Sequence, residues 1–528
     1  MNTTILWADD EIDLLRPHIL FLEEKGYTVV PVTSGCDALD ALDSNVDLVF
    51  LDEQMPGLSG IDTLKAIKER SPQLPVVMIT KSEEEHIMDD ALGGKISDYL
   101  IKPVSPSQLL LTVKKHTERQ RLQSEHSTHG YQQQFREIGM QLGECRTPQD
   151  WEEMYRRLVY WDLELAGVDD ENIHDIFLSQ RREANMQYCR FYEKHYLDWI
   201  SGREEKPLMS HTVLQQRLIP VLTGSLRSQG QASPQSPQST FLIVIDNFRY
   251  DQWKYVQPAI ERLLRVERDE LYYTIIPTTT QFARNAMFAG LMPSEIERKY
   301  PQYWVNEDEE GYKNQYEDQL LDEQLRRHGL NIKHTYNKVL NAQYGRRLVD
   351  RLPELMHSPL NVIIYNFVDM LSHASTDSHV VRELADSDRA YRSLTLSWLE
   401  HSPLMDMLRA LSERNVRVII TTDHGSTRVE RPVRVRGDRD ISVNLRYKQG
   451  RLLDYDADDV FEVKDPAKLF LPKRHVTSPY IFARDSDFFA YPNNYNQYVQ
   501  LYTNTFQHGG ISLEETLVPF VMLVPKER

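Results

Sequence analysis

Apolar and polar positions follow two alternating patterns over the first 116 residues. Short apolar runs typical of buried strands alternate with stretches in which apolar residues recur every three or four positions, as in amphipathic helices. The runs are TTILWA, YTVVPV, VDLVFLD, LPVVMIT and ISDYLI. One helical pattern, EIDLLRPHILFLEEKG, closes on Gly26, a residue type common just after a helix. This alternation predicts a five-stranded, mostly parallel, doubly wound (flavodoxin-like) sheet within residues 1–118.

The strand pattern disappears between residues 119 and 222, where long helical patterns take its place. Thr147 followed by Pro148 predicts a helix that begins there, because threonine caps helix N-termini and proline is tolerated in the first turn. Large apolar residues then recur at spacings of three and four, which predicts a buried face. They are Trp151, Tyr155, Leu158, Trp161 and Leu165. We interpret this region as a small helical bundle.

A polar segment separates this bundle from a second α/β pattern. Residues 223–240 include SQGQASPQSPQST, which is rich in Gln, Ser and Pro and predicts a linker or an exposed loop. From residue 241 to 528 strand-like runs return, among them FLIVID, NVIIYNFVD, VRVIITTDHG and ETLVPFVMLV. The whole chain is therefore predicted to be a multidomain α/β protein with a helical centre.

The composition narrows the class of protein. A chain of 528 residues is too long for a single core. Its 61 Lys and Arg against 79 Asp and Glu give a net charge of −18, which argues against broad binding to duplex nucleic acid but leaves a local basic channel open. The N-terminus turns acidic after one short apolar run, unlike a signal peptide, and no run approaches the ~18 apolar residues of a membrane span.

The cysteines indicate the compartment. Cys36, Cys145 and Cys189 lie far apart in the sequence and form no CxxC motif. We expect them to be reduced and buried, which is typical of a cytoplasmic protein.

Polar residues follow the predicted strands of the first domain. Asp9 and Asp10 come just after the first strand, Asp52 ends the third, Thr80 ends the fourth and Lys102 ends the fifth. A doubly wound sheet brings these ends to one rim. The carboxylates could hold Mg²⁺, Asp52 could attack a phosphoryl donor, and Lys102 and Thr80 could stabilise the transferred group.

This stretch resembles the receiver domains of response regulators, including DEQMPGLSG after Asp52 and KP after the last strand. The resemblance implies that Asp52 is the phosphorylation site and that Asp9, Asp10 and Asp52 bind Mg²⁺, with the backbone carbonyl of Gln54 completing the site. It also implies that Tyr99 is the aromatic residue that couples phosphorylation to the neighbouring surface.

A second set of chemically active residues lies after residue 241. Asp246 ends an apolar run, IPTTT precedes a helical pattern, and the chain continues with D-x-x-x-H, TDHG and HGG motifs. Histidine and aspartate at strand ends suit Zn²⁺ or Mn²⁺. Two such ions about 4 Å apart can hold both oxygens of a phosphoryl displacement, and a threonine oxygen can act as the nucleophile. The motif residues are Asp246, Thr278, Thr279, Thr280, Asp369, His373, Asp423, His424 and His508.

In this order the motifs resemble the alkaline phosphatase superfamily, and most closely its PglZ-type branch. The resemblance implies one Zn²⁺ bound by Asp246, the nucleophilic threonine, Asp423 and His424, and a second bound by Asp369, His373 and His508. It selects Thr280 as the nucleophile, although Thr278 and Thr279 lie close enough to stay as alternatives. Arg284 and Asn285 could orient a phosphate oxygen; the other interpretation is that they face solvent.

The complete arrangement resembles the PorX-like response regulators associated with the type IX secretion system. The resemblance implies a sensor histidine kinase as partner, a homodimer formed on phosphorylation, and a phosphodiesterase or phosphatase output acting on nucleotide or oligonucleotide phosphoesters. Two alternatives stay open: a non-catalytic scaffold that binds a secretion component or a sigma factor, and a transcription factor. No helix-turn-helix pattern is present, so sequence-specific binding to duplex DNA is not expected.

Overall fold

A computed structural model gives the fold of the chain. It describes residues 3–42, 45–71, 74–80, 97–168, 170–229, 239–306, 309–437, 444–450, 452–472, 478–493 and 495–526, apart from the side chains of 117–126 and 225–229. The chain forms two compact units. The first unit comprises residues 1–133 and 167–169, and the second unit comprises residues 134–166 and 170–528.

The first unit contains the predicted parallel sheet. Its strand order is β2-β1-β3-β4-β5, with every neighbouring pair parallel. The strands are β1 (Thr4–Ala8), β2 (Thr28–Val32), β3 (Leu48–Asp52), β4 (Val76–Thr80) and β5 (Asp98–Ile101). The helices are α1 (Arg16–Glu24), α2 (Gly35–Asp40), α3 (Gly60–Arg70) and the start of α4 (Pro106–Leu142). This confirms the predicted doubly wound architecture.

Two apolar cores form because successive side chains of a strand point to opposite faces. Ile5 and Trp7 of β1 pack into one core, whereas Leu6 and Ala8 pack into the other. Because both faces are buried, these strands are read in the sequence as continuous apolar runs. Gly26 follows α1 with φ +90°, a left-handed conformation that glycine adopts without strain, so the predicted end of this helix is confirmed.

The central region is helical, as predicted. α5 (Pro148–Leu165) begins with Thr147, whose side chain accepts from the Asp150 amide, and Pro148 occupies the first turn. The five apolar residues that predicted a buried face of this helix are all buried. The long helix α6 (Glu171–Ser201) follows and ends at Gly202, which has φ +74°.

The second unit is built on a six-stranded mixed sheet of order β7-β18-β10-β6-β9-β8. β10, β6, β9 and β8 are mutually parallel, whereas β18 runs antiparallel to its two neighbours. The sheet consists of β6 (Ser239–Ile245), β7 (Leu264–Tyr273), β8 (His334–Val339), β9 (Leu360–Tyr365), β10 (Val416–Thr421) and β18 (Leu517–Pro525).

Helices and small sheets complete this unit. The helices are α7 (Ser210–Val213), α8 (Ile219–Gln229), α9 (Tyr250–Glu261), α10 (Asn285–Ala289), α11 (Pro293–Lys299), α12 (Glu317–Arg327), α13 (Ala342–Asp350), α14 (Leu352–Leu355), α15 (Phe367–Asp377), α16 (His379–Leu384), α17 (Asp388–His401), α18 (Pro403–Ser412), α19 (Tyr495–Tyr502) and α20 (Leu513–Thr516). The remaining strands are β11 (Thr427–Arg428), β12 (Arg431–Arg434), β13 (Tyr447–Gln449), β14 (Phe461–Val463), β15 (Tyr480–Phe482), β16 (Asp487–Ala490) and β17 (Phe506–Gln507).

The structure differs from the sequence interpretation at the segment boundaries. Residues 223–229, assigned to the linker, continue α8, and β6 already begins at Ser239. Only residues 230–238 of the predicted linker lie outside the described residues. α4 also runs through the boundary predicted at residue 118. These differences arise because polar residues such as Ser and Gln are compatible with a helix when neighbouring turns support it.

Two other expectations can be compared with the structure. Cys145 and Cys189 are buried and free as expected, whereas Cys36 on α2 is exposed. Among the described helices, none combines the length and the apolar character needed to cross a bilayer.

Buried ion pairs should contribute far more to this fold than surface pairs. Arg446 and Glu515 are fully buried and lie 2.5 Å apart, whereas the Arg326–Asp322 pair on α12 is largely exposed. Arg446→Met leaves Glu515 buried without its cation, and we expect it to destabilise the second unit by about 3–5 kcal/mol. Arg326→Met, the matched control, should cost under about 1 kcal/mol. Thermal unfolding measures both, and equal shifts in melting temperature would contradict the prediction.

Candidate functional sites in the two units

The acidic pocket of the first unit lies at the carboxyl ends of its strands. Lys102 Nζ is 2.9 Å from Asp9 Oδ2 and 2.8 Å from Asp52 Oδ1. Asp9 and Asp52 are buried, whereas Asp10 is exposed. One oxygen of each of the three carboxylates lies within 4.8 Å of the others, so together they could hold a cation. Their hard oxygen donors suit Mg²⁺.

The surroundings of Asp52 compensate its negative charge only in part. Burial raises the pKa of Asp52, Lys102 opposes this, and Asp9 and Asp10 add to it, so the net pKa lies above its ordinary value. The pKa of Lys102 is also raised, because its two carboxylate neighbours outweigh the effect of burial. Carboxylates whose negative charges lie this close together are the environment in which a divalent cation binds favourably.

The rest of the predicted pocket has distinct surroundings. Thr80 is buried and its hydroxyl donates to Glu53, which holds it at the end of β4. Gly60, at the start of α3, lies so close to the carbonyl of Asp52 that any side chain there would overlap it. Tyr99 is 45% exposed and Gln54 is exposed, as expected for residues at the rim.

The second unit brings its predicted ligands to the carboxyl edge of the six-stranded sheet. Asp246 directly follows β6, and Asp423 and His424 follow β10 after one intervening residue. Asp369 and His373 lie one turn apart on α15, the helix that follows β9, and His508 follows β17. β6, β9 and β10 are parallel neighbours, and this is why residues far apart in the sequence meet at one edge.

The first cluster consists of Asp246, Asp423 and His424, all buried. His424 Nε2 lies 3.7 Å from Asp246 Oδ1 and 3.6 Å from Asp423 Oδ2. The Thr280 hydroxyl donates to Asp246 Oδ1 at 3.3 Å and lies 3.2 Å from His424 Nε2. Thr280 begins a helical turn of residues 280–284 that leads into α10.

The second cluster consists of Asp369, His373 and His508. Asp369 lies 3.6 Å from the Nε2 atom of each histidine, and His373 is the exposed member. The rings of His424 and His508 are stacked with their centroids 4.4 Å apart, so the two clusters adjoin. This is the spatial relation that a site for two neighbouring ions requires.

Backbone carbonyls orient the imidazoles of His424, which is buried, and His508, which is half-buried. His424 Nδ1 lies 3.1 Å from the carbonyl of Gly425, and His508 Nδ1 lies 3.2 Å from that of Thr278. A histidine that donates from Nδ1 presents the lone pair of Nε2 for metal binding. Both Nε2 atoms face the clusters.

The electrostatics of the clusters fit divalent cations. Burial, reinforced by Asp246, raises the pKa of Asp369 to about 6 and that of Asp423 well above its ordinary value. Burial, with its two histidine neighbours, lowers the pKa of His508. Asp369 Oδ1 and Asp423 Oδ2 are buried and accept no hydrogen bond from the described residues. Carboxylate and imidazole donors together are the set that Zn²⁺ or Mn²⁺ accepts, so the residues fit the predicted metals.

Arg284 lies deeper than the prediction of a phosphate contact requires. It is buried, and its guanidinium donates to Asp246 Oδ2 at 2.6 Å and to Glu317 Oε1 at 2.6 Å. Glu317 is fully buried and also accepts from Tyr336 and from Lys338 Nζ. Arg284 therefore compensates Asp246, and neither predicted interpretation, phosphate contact or solvated side chain, describes its place.

Asn285 is likewise buried, and its amide donates to the carbonyls of Gln281 and Lys313. It stabilises the backbone around Thr280, which differs from the predicted phosphate contact. Asn314 adds a hydrogen bond of 2.9 Å to the Thr280 carbonyl.

The three neighbouring threonines have different partners. Thr278 donates to the carbonyl of Gly510 at 3.0 Å and accepts from the Gly509 amide, so it holds the turn that follows His508. The hydroxyl of Thr279 is buried and has no hydrogen-bond partner within the described ranges. Thr280 alone of the three contacts Asp246 and His424.

Comparison with known families accounts for the strand-end ligands. The model of the BREX system PglZ alkaline phosphatase-like domain matches residues 231–523, more than half of the chain. The chain belongs to the PglZ alkaline phosphatase-like family. Two further models match the rest of this PglZ protein: the response regulator receiver domain over residues 5–114 and the PorX response regulator linker domain over residues 121–200. This order of domains is that of PorX-like response regulators.

Individual relatives match the receiver part. The response regulator SaeR of Staphylococcus epidermidis is 37% identical over 109 residues, which cover 21% of this chain and 48% of that protein. SaeR of Staphylococcus aureus is 34% identical over 111 residues, covering 21% and 49%. The PglZ chain thus spans about half the length of these curated relatives.

Solved structures match the same part. A response regulator receiver domain protein from Clostridium thermocellum is 29% identical, with 23% of this chain and 98% of that chain covered and a TM-score of 0.22. NtrX from Brucella abortus, in complex with ATP, is 28% identical, with 27% and 34% covered and a TM-score of 0.23.

The sequence did not predict two residues that bind the side chains and backbone of the site, Glu317 and Asn314. Glu317 lies in the polar stretch NQYEDQLLDEQ, which has the composition of a solvated helix, so no signal in the sequence marked it. Asn314 is likewise one amide among several. Both become visible only through their contacts with Arg284 and Thr280.

Metal content tests the two clusters. We expect the full-length PglZ protein, after loading with Zn²⁺ and dialysis, to retain one ion per cluster. His424→Ala and His508→Ala should each reduce the retained zinc, because each removes an imidazole donor from one cluster. His379→Ala is the matched control, since this histidine is 82% exposed and belongs to neither cluster. Elemental analysis gives the stoichiometry, and zinc retained unchanged in both cluster variants would contradict the assignment.

Proposed function

We propose that this protein is a response regulator in which phosphorylation of Asp52 controls a metal-dependent phosphodiesterase or phosphatase carried by the PglZ domain. The substrates would be nucleotide or oligonucleotide phosphoesters. The proposed cofactors are Mg²⁺ in the receiver pocket and two Zn²⁺ ions at the carboxyl edge of the six-stranded sheet.

One observation carries the catalytic half of the proposal. The hydroxyl of Thr280 lies 3.3 Å from Asp246 and 3.2 Å from His424, at the junction with a second cluster of ligand residues. Thr280 is less deeply buried than its two threonine neighbours. A hydroxyl in this position can be deprotonated and can reach a phosphoester at the edge of the sheet.

The residues divide the chemistry between them. Asp246, Asp423 and His424 would hold one Zn²⁺ and Asp369, His373 and His508 the other, and these ions would supply charge stabilisation to the phosphoryl displacement. Attack of Thr280 Oγ1 on phosphorus forms the Thr280–phosphorus bond and breaks the bond to the alcohol, which leaves with the proton lost by Thr280. Attack of water on that phosphorus then releases a phosphate monoester from a diester substrate, or inorganic phosphate from a monoester, and the Thr280 oxygen takes up a proton from the water.

Residues around the nucleophile would keep its geometry constant. Arg284 donates to Asp246 Oδ2, and the other carboxylate oxygen, Oδ1, accepts from the Thr280 hydroxyl. Asn314 binds the carbonyl of Thr280 and restrains its backbone. Nucleophiles held in a reactive geometry gain rate because less freedom is lost in the transition state.

The receiver half supplies the input. Receiver domains of response regulators are phosphorylated by sensor kinases, and the proposed partner is a histidine kinase. Lys102, which contacts Asp52, would stabilise the phosphoryl group. We further propose a cytoplasmic location and a role in type IX secretion, with a secretion component or a sigma factor as an additional partner. The PorX-like order of domains supports this part of the proposal.

Loss of the nucleophile should abolish cleavage without loss of metal. We expect Thr280→Ala to lower the rate of bis-nitrophenyl phosphate hydrolysis by at least about a thousandfold, because the covalent route is removed. Its zinc content should equal that of the wild-type chain. Thr279→Ala is the matched control and should retain activity, since its hydroxyl contacts neither cluster.

The outcomes separate the alternatives. Activity that survives in Thr280→Ala but not in Thr279→Ala would move the nucleophile by one residue. A zinc-loaded wild-type chain that cleaves neither this diester nor an oligonucleotide would contradict catalysis and favour the scaffold interpretation.

Phosphorylation should change the oligomeric state. We expect beryllofluoride with Mg²⁺, a phosphoryl mimic, to convert the full-length chain from monomer to dimer in size-exclusion chromatography with light scattering. Asp52→Asn is the matched control and should stay monomeric, because the mimic needs the carboxylate. A wild-type mass that is unchanged by the mimic would contradict this half of the proposal.

A further inference from the structure

One face of α6 carries polar groups at helical spacing, and these groups contact the backbone beside the candidate metal centre. Positions three and four apart lie on the same side of a helix. Five of the six are buried and Arg181 is half-buried. The residues are Arg181, Asn185, Tyr188, Cys189, Tyr192 and Tyr196. A helix that only covers a core would need apolar groups at these positions, so the polar set requires its own explanation.

Asn185 holds the 511–516 segment, which follows the HGG turn and contains α20. Its Oδ1 accepts from the Leu513 amide at 2.9 Å, and its Nδ2 donates to Glu514 Oε2 at 3.2 Å. Arg181 binds the other oxygen of Glu514 at 2.7 Å. Both ends of the Asn185 amide are therefore used, and the position of this segment relative to α6 is strongly defined.

Two further residues of α6 extend this contact. The Tyr188 hydroxyl lies 2.6 Å from Thr516 Oγ1, and Cys189 Sγ donates to the Ile511 carbonyl at 3.2 Å. The segment is thus held at both its ends as well as in its middle.

The 511–516 segment in turn contacts both histidine-bearing turns. The carbonyl of Glu515 accepts from the Gly425 amide at 3.1 Å, next to His424. The Glu515 carboxylate accepts from the Gly510 amide at 2.9 Å, two residues after His508. The Glu514 carbonyl approaches Gly425 so closely that a side chain there would overlap it. Any displacement of this segment would therefore move the ligand turns.

α6 also contacts the segment between β7 and Thr280. The Tyr192 hydroxyl donates to the Thr274 carbonyl at 2.8 Å, and the Tyr196 hydroxyl accepts from the Ile276 amide at 3.1 Å. Thr280 follows four residues later. One helix thus contacts both the segment that precedes Thr280 and the 511–516 segment, which contacts the turns that carry His424 and His508.

We propose that α6 is a positioning element of the metal centre, acting through Asn185 and Tyr188 on the 511–516 segment and thereby on His424 and His508. This inference rests on the proposed metal-dependent function. It assigns a role in metal affinity to residues that touch neither metal nor substrate. Residues that orient metal ligands typically change metal affinity by about 10–100-fold when they are lost.

The experiment compares the zinc affinity of full-length variants, measured by competition with a chromophoric chelator. We expect Asn185→Ala and Tyr188→Phe each to weaken zinc binding by about tenfold. Ile173→Ala is the matched control: Ile173 is buried on the same helix, twelve residues before Asn185, and its side chain has no group that could form a hydrogen bond to the 511–516 segment. It should lower the melting temperature while zinc affinity stays at the wild-type value.

Three outcomes would overturn the inference. If both Asn185→Ala and Tyr188→Phe kept the wild-type zinc affinity, α6 would have only a packing role. The same conclusion would follow if Ile173→Ala lost as much zinc affinity as they did. Tyr188→Phe removes only a hydroxyl, so it keeps the test valid if Asn185→Ala does not fold. A wild-type chain that binds no zinc would instead refute the proposed metal centre itself, so the two failures are distinguishable.

Discussion

Burial of charge at the carboxyl edge of the six-stranded sheet is the constraint on which the second unit depends. Three carboxylates and three imidazoles meet there, and burial with mutual repulsion raises the pKa of Asp369 and Asp423. An uncompensated charge in such surroundings is strongly unfavourable, so each group needs a partner. Arg284 supplies one positive charge to Asp246, and Glu317 in turn accepts from Arg284. The candidate ligands therefore require further buried polar residues, here Arg284 and Glu317, that compensate their charge.

The same constraint organises the unit further from the sheet edge. Three arginines there are each shared between at least two carboxylates, so no cation and no anion of the set is isolated. Arg181 binds Glu514 and Asp388, Arg249 binds Asp251 and Asp388, and Arg392 binds Asp162 and Asp251. These side chains lie on α5, α6, α9, α17 and α20, except for Arg249, which directly precedes α9, so the shared pairs link those helices to one another.

The sequence predicts what is local and misses what depends on long-range contacts. Asp52, Asp246 and Asp423 were predictable because each follows a continuous apolar run that defines a strand and its end. Arg284 was misplaced because its partners, Asp246 and Glu317, are 38 and 33 residues away. The polar face of α6 was invisible for the same reason: Asn185 meets Glu514 across 329 residues of chain. Periodicity identifies a buried face, but it does not identify the segment that the face contacts.

These contacts also indicate where the scaffold of the candidate metal site begins in the chain. The PglZ family model matches from residue 231, yet Asp162 and Arg181 lie within the PorX linker match and share charges with Arg392 and Glu514. A chain cut at residue 231 would leave the buried Arg392 without Asp162 and Glu514 without Arg181. Since an unpaired buried charge is more unfavourable than the pair is favourable, the helices before residue 231 belong to the scaffold of the site. The helices within the PorX linker match are therefore a structural part of the second unit, and a change in their position would act, through the 511–516 segment, on the turns that carry His424 and His508.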